Sequence, residues 1–234
     1  MSPVELTGHA LARMVDISAV QARHGRADVV ELARHALAGD FIAAHVLPSW
    51  LPVLRALLDG STTNAGSPVG FPSGGSATEV KVAEARWLLD AGVQEMDVVM
   101  NIGLVRSGET AAATRDVAAV LAAVGGRVPV KVILEVGLLD ERQIREAARA
   151  AVEAGAESLK TGTGWQGVAT TPEHVRLIRE VAGDREIKAS GGIRSLEQVR
   201  ALLDAGATRF GINTAHAVRL VAEASGAETG GGGR

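Results

Sequence analysis

The chain has 234 residues, 47% hydrophobic and 22% charged, a balance that excludes a wholly disordered chain and allows one large domain or two small ones. A formal net charge of −3 and a pI near 6.1 exclude a basic surface made for nucleic acid or an anionic membrane. The lack of cysteine excludes disulfides, thiolate metal sites and cysteine nucleophiles; with no membrane-length apolar run and no secretory leader pattern, the expected location is cytoplasmic.

Short apolar runs alternate with stretches of helical period along the chain. Strands are expected near residues 14–18, 42–47, 68–72, 96–101, 130–136, 158–162, 186–190 and 209–212. Helices are expected over 27–38, 49–58, 78–90, 111–124, 141–154, 172–181, 196–204 and 215–224. Ser76, Thr78 and Thr171 are candidate N-caps, and Pro172 fits a first helical turn. The Ala-Gly pairs at 91–92, 154–155 and 205–206 read as helix stops. Alternating strands and helices imply a parallel α/β sheet with right-handed crossovers, and eight units close most economically as a single (β/α)8 TIM barrel. The rival, an open doubly wound sheet, would show a Gly-rich phosphate turn after its first strand, and none follows either of the first two. The barrel domain is expected over 1–225, with a Gly-rich disordered tail over 226–234.

The 24 basic residues are 20 Arg and only 4 Lys: Lys81, Lys131, Lys160 and Lys188. Three of the four lie inside strand-like apolar runs. Arginine stays protonated, whereas a buried lysine changes its pKa readily and can act as an amine nucleophile. Lys160 precedes Thr161-Gly162-Thr163-Gly164, and Lys188 precedes Ala189-Ser190-Gly191-Gly192, at equivalent heights on adjacent strands. A single strand lysine is commonly a salt bridge; two inward lysines repel, and the repulsion lowers the pKa of one. Asp97 lies in an apolar strand, needs a partner there, and is placed to pair with Lys188 and relay protons. Lys131 and Glu135 share parity on the fifth strand, either able to join the cluster, with Asp16 a further candidate. Gly191, Gly192 and the run Gly211-Ile212-Asn213-Thr214 end the last two strands, where barrels bind phosphate through backbone N–H groups and helix N-termini. His45 and His216 could face the site, but no His/carboxylate spacing suggests a metal. Trp165 could cover the mouth, while Trp87 reads as packing between helix and barrel, and His35 and His174 as solvated helix residues.

Several long motifs follow one another along the chain: Gly70-Phe71-Pro72-Ser73-Gly74, Thr78-Glu79-Val80-Lys81 and Met96-Asp97-Val98-Val99-Met100-Asn101-Ile102-Gly103, then Val130-Lys131-Val132-Ile133-Leu134-Glu135, Leu159-Lys160-Thr161-Gly162-Thr163-Gly164 and Ile187-Lys188-Ala189-Ser190-Gly191-Gly192-Ile193-Arg194. In sequence and in order they resemble the 2-deoxyribose-5-phosphate aldolase family. The resemblance spans about residues 41–218. It implies a class I aldolase on a TIM barrel with no metal and no cofactor. Lys160 would form the Schiff base, Lys188 would lower its pKa, and Asp97 would serve the proton relay. The implied reaction is reversible cleavage of 2-deoxyribose 5-phosphate to acetaldehyde and glyceraldehyde 3-phosphate. Asp16, Ser18, Thr161, Gly162, Gly191, Gly192, Gly211, Asn213 and Thr214 would bind substrate, a small aldehyde or sugar phosphate. No nucleic-acid or membrane partner is expected, and the chain is expected to form a homodimer or higher homo-oligomer.

The pocket walls depart from the family pattern. The first strand keeps only Asp16 of its Asp-His-Thr-Leu-Leu-Lys, and the second reads His45-Val46-Leu47-Pro48 where the family has Cys-Val-Asn-Pro. Glu135-Val136-Gly137 stands for Glu-Thr-Cys, Gly162 replaces a serine, and Ala215 replaces the last glycine of the eighth-strand turn. No tyrosine exists to serve as the C-terminal proton shuttle of some members. Two alternatives follow: the same Schiff-base chemistry on a different acceptor or donor, with or without phosphate, as in specialised metabolism, and a non-catalytic metabolite-binding barrel.

Overall fold

The computed structural model describes residues 6–230. Eight parallel strands, β1 (Val15–Ala19), β2 (Ala43–Val46), β3 (Asn64–Val69), β4 (Glu95–Val99), β5 (Val130–Ile133), β6 (Ser158–Lys160), β7 (Glu186–Ser190) and β8 (Arg209–Gly211), form a closed barrel in chain order. Pairing of Val15 with Phe210 joins the first strand to the last. Around it run α1 (Gly8–Ala12), α2 (Arg26–Ala38), α3 (Leu51–Leu57), α4 (Thr78–Asp90), α5 (Ile102–Arg106), α6 (Thr110–Val124), α7 (Glu141–Glu153), α8 (Pro172–Ala182), α9 (Leu196–Asp204) and α10 (Thr214–Gly230). Short 3-10 turns follow β2 (Pro48–Trp50) and β5 (Val136–Leu138). Among the described residues, no helix is long and apolar enough to cross a membrane.

The two-residue period of each strand divides its side chains between two environments. Val15, Ile17, Ala44, Val46, Met96, Val98, Val132, Leu159, Ile187 and Phe210 are fully buried in the layer between strands and helices. The alternate positions, Asp16, His45, Glu95, Asp97, Lys131, Lys160, Lys188 and Arg209, fill the barrel interior. Barrel cores are ordinarily branched aliphatics; an ionic interior here demands mutual pairing, because each unpaired buried charge is costly.

The structure corrects several boundaries. β3 covers Asn64–Val69 rather than 68–72, with Gly66, Ser67 and Pro68 inside the strand, which hides it from a propensity reading. α1 and α5 are five-residue helices, too short to show a periodic pattern. Thr171 caps α8, accepting from His174 N–H at 3.2 Å, as expected. Neither Ser76 nor Thr78 caps α4: Ala77 does, and the Thr78 hydroxyl donates instead to Asp116 at 2.8 Å. Ala91, Ala154 and Ala205 are C-caps, each followed by a glycine at positive φ. α10 continues to Gly230, past the expected end at 224 and into the expected tail, since a formed helix gains one hydrogen bond per added residue. Residues 231–234 of that tail lie outside the described residues.

Candidate active site

The chemistry collects at the C-terminal ends of the strands. β4 supplies Asp97, and its Oδ2 accepts from Lys160 Nζ of β6 at 2.8 Å and from Lys188 Nζ of β7 at 2.9 Å. The β6–β7 register pairs Lys160 directly with Lys188, so the two amines stand side by side as the sequence suggested. Lys188 Nζ also contacts Asp16 Oδ2 of β1. Beneath this layer, Glu95 accepts from Arg209 of β8 at 2.8 and 2.6 Å, from Lys131 of β5 at 3.0 Å and from His45 of β2 at 2.7 Å. Arg209 Nε reaches Asp16 at 2.7 Å.

Formal charge in this cluster decides which amine can be free. Three carboxylates (Asp16, Glu95, Asp97) face four cationic side chains (Lys131, Lys160, Lys188, Arg209), one more than they can neutralise. Burial lowers the Lys160 pKa, Asp97 raises it and Lys188 lowers it again, leaving it at about 8. Lys188 goes the other way: burial works against its charge, but Asp16 and Asp97 raise it above the ordinary lysine value. Burial pushes the Asp97 carboxyl up, and the two ammonium groups more than offset this, holding it well below the usual carboxylate range. Asp16 is likewise held low, by Lys188 and then Arg209 acting against burial.

These groups floor a cavity of about 280 Å³. Of the sequence-derived candidates, Asp16, Ser18, Asp97, Lys160, Lys188, Gly191, Gly192, Gly211 and Asn213 line it. Thr161, Gly162 and Thr214 do not. The Thr161 hydroxyl is buried against Ser190 O (3.1 Å) and Thr170, tying the β6 and β7 ends together. Gly162 backs onto Glu135, whose Oε1 would lie 2.8 Å from an added Cβ, and Thr214 is the first residue of α10. Glu135 stands apart from the ionic cluster: its carboxylate accepts from the Thr163 N–H and hydroxyl, and Thr163 Oγ1 accepts from Trp165 N–H at 3.0 Å. Trp165 is thereby fixed at the rim, its indole N–H on Val20 O at 3.2 Å and its ring edge-on to Phe71. Phe71, Arg194, His24 and His216 complete the mouth.

A sequence model described as the DeoC/LacD family aldolase matches residues 11–227. The chain belongs to that family. Its members share the barrel, and membership makes the protein an aldolase, a lyase. The chain is 50% identical over 221 residues to a deoxyribose-phosphate aldolase of Sinorhizobium medicae, covering 94% of this chain and 89% of the relative. It is 44% identical to the Klebsiella pneumoniae deoxyribose-phosphate aldolase, covering 93% and 88%. The tetrameric deoxyribose phosphate aldolase of Aeropyrum pernix superposes with a TM-score of 0.84 at 30% identity, over 93% of this chain and 92% of that one.

In this DeoC/LacD barrel, Glu95 and Arg209 belong to the site although the sequence reading passed over them, and His45 enters it more deeply than expected. The signal for Glu95 was its parity with Asp97, two residues on; for Arg209, its parity with Gly211. Asp16, His45 and Glu95 bring one potential ligand atom each to within 4.8 Å of one another. A divalent cation does not fit there: each carboxylate already holds Lys131, Lys188 or Arg209, and those fixed charges would repel it.

Proposed function

We propose that the protein is a class I aldolase in which Lys160 forms the Schiff base, and that it reversibly cleaves 2-deoxyribose 5-phosphate to acetaldehyde and glyceraldehyde 3-phosphate. The observation that carries this reading is the Lys160 amine. It opens on the cavity beside a second lysine that keeps its proton, and its own pKa falls to about 8. As free base it attacks the substrate carbonyl, and loss of water gives an iminium. The iminium withdraws electrons from the neighbouring carbon–carbon bond, whose cleavage leaves an enamine. Asp97 and Lys188 hold and return protons as the enamine is protonated and hydrolysed. Asp97 keeps an ammonium partner in Lys188 when Lys160 becomes neutral, so its charge remains compensated throughout.

The relatives' names and the rim support a phosphorylated substrate. Gly191 and Gly192 take φ of 111° and 74°, so the first two residues of the β7–α9 loop line the cavity without side chains, and Arg194 of the same loop lines it as well. One contact favours the second reading, an unphosphorylated acceptor. Asn213 Oδ1 accepts from Ala215 N–H at 3.0 Å, using a backbone donor at the start of α10 that an anion would need. Cleavage of 2-deoxyribose 5-phosphate compared with 2-deoxyribose decides between them. The expected preference in kcat/KM is on the order of 10²-fold, as one charge-assisted contact gives, and Arg194→Ala should reduce it. Equal rates on the two sugars would select the second reading.

The enzyme is further proposed to work as a homo-oligomer. Val80 and Trp87 lie on the outer face of α4, 57% and 47% exposed and seven residues apart, an apolar stripe of the kind that a second copy covers. Light scattering on the purified protein tests this; a monomer at micromolar concentration would contradict it.

A further inference from the structure

The mechanism above gives no task to His45, although it stands on the floor of the cavity beside Asp97. His45 lines the cavity while only 4% exposed. Its Nε2 is spoken for, 2.7 Å from Glu95 Oε1 and 3.4 Å from Asp16 Oδ2. In the neutral ring this bond places the proton on Nε2 and the lone pair on Nδ1. Among the described residues Nδ1 has no hydrogen-bond donor; the group facing it is Asp97 Oδ2, itself an acceptor, at 3.9 Å. Two acceptors facing each other across that gap, at the floor of a substrate cavity, make a place for a hydroxyl or water proton.

The same Asp97 oxygen receives Lys160 Nζ at 2.8 Å, which puts Nδ1 within about 7 Å of the imine-forming nitrogen. In an imine of a β-hydroxy aldehyde, the hydroxyl oxygen lies about 4 Å from that nitrogen. An oxygen between them can therefore be bound to Lys160 through carbon and still reach Nδ1 at hydrogen-bond distance. The ring is held flat in this position by β3: a Cβ on Gly66 would come within 2.6 Å of both ring nitrogens.

We propose that His45 is a further catalytic residue, its Nδ1 accepting the proton of the substrate hydroxyl on the carbon β to the Lys160 imine. The proposal rests on Lys160 being the Schiff-base lysine. In cleavage, the O–H proton passes to Nδ1 and the C–O bond becomes a carbonyl. The Cα–Cβ bond breaks, and its electron pair moves to the iminium nitrogen, giving the enamine. In synthesis each movement reverses and Nδ1–H returns the proton to the new alkoxide. The imidazolium forms as the iminium becomes a neutral enamine, so the net charge of the floor does not rise, and the ring lies beside the carboxylates of Glu95, Asp16 and Asp97. Lys131, Lys188 and Arg209 donate to the same carboxylates, whereas among the described residues no donor engages the Nδ1 lone pair of the ring.

The test separates two half-reactions of the same imine. Exchange of the α-hydrogens of acetaldehyde in D2O, followed by NMR, needs Lys160 and the enamine but no β-hydroxyl. Cleavage of 2-deoxyribose 5-phosphate needs all three. His45→Gln keeps an N–H that can reach Glu95 and removes the Nδ1 acceptor. It is expected to lower cleavage on the order of 10²-fold, the lower range for a lost general base, while exchange stays within about twofold. Loss of both rates together would show a merely structural role and overturn the proposal, as would unchanged cleavage. If His45→Gln does not fold, His45→Ala, which water can fill from the open cavity, is subject to the same ratio. A parent protein that exchanges no acetaldehyde hydrogen would overturn the Lys160 reading, and this proposal with it.

Discussion

At the scale of single residues, Lys160 and Lys188 are chemically identical side chains made different by one carboxylate. Asp97 touches both, but Asp16 touches only Lys188, and this fixes which amine keeps its proton. Two outcomes follow. In the proposed Schiff-base reaction attack requires the free base of Lys160, so imine formation with acetaldehyde should fall about tenfold per pH unit below pH 8 and level off above it. Lys188→Met removes the repelling charge and leaves Asp97 to Lys160 alone. Both changes favour the protonated amine, so the acid limb of that pH profile should move upward by at least about one unit. A limb that stays in place would show that burial alone sets the Lys160 pKa. The lysines and Asp97 were legible in the sequence because a charge inside an apolar strand stands out. Glu95 was not, because it precedes the apolar run that marked its strand. His45 could be placed at the right strand end, but its partners come from β1 and β4, and no spacing in the chain reveals such a contact.

At the scale of elements, the site depends on strand parity and on which neighbours stay small. β4 contributes Glu95 and Asp97 to the interior and Met96 and Val98 to the helix layer, so a one-residue slip would exchange ions for aliphatics. β3 contributes backbone and little else, and Gly66 accommodates the His45 ring. Gly66→Ala should displace that ring, break its bond to Glu95 and lower cleavage activity more than stability; a normal crystal position for His45 in the variant would contradict this. On the rim of the molecule, Thr171→Ala removes the α8 cap and should cost about 1 kcal/mol, read as a drop in the denaturation midpoint with activity unchanged. Elements with long apolar periods were legible from the sequence, α7 and α8 among them. β3 begins four residues before its expected start because Asn64, Gly66 and Pro68 are poor strand formers held there by barrel closure rather than by their own preference.

At the scale of the molecule, the barrel substitutes a mutually paired ion cluster for an aliphatic interior, which ties stability to pH. Burial and Asp16 raise the Glu95 pKa, but Lys131 and His45 bring it down to about 2 from an ordinary 4.5. A carboxylate whose folded pKa is lowered contributes stability that is complete above its unfolded value and lost as pH falls. The loss should therefore run from about pH 4.5 toward pH 2, with Asp16 and Asp97 acting in the same direction. Glu95→Gln leaves Arg209 and Lys131 short of an anion and should cost about 3–5 kcal/mol at neutral pH, while flattening that acid dependence in urea titrations. A variant as stable as the parent would show that the interior cations do not need Glu95. The barrel itself was legible from eight alternations of strand and helix, but the network across its axis was not, since it joins residues from β1, β2, β4, β5 and β8 that only closure brings together.

The most direct measurement is borohydride reduction in the presence of acetaldehyde, followed by digestion and mass spectrometry. One reduced adduct is expected, on Lys160, absent from Lys160→Arg and formed faster at pH 8 than at pH 6. An adduct on Lys188 or Lys131 instead, or a protein left unmodified, would contradict the role proposed for Lys160.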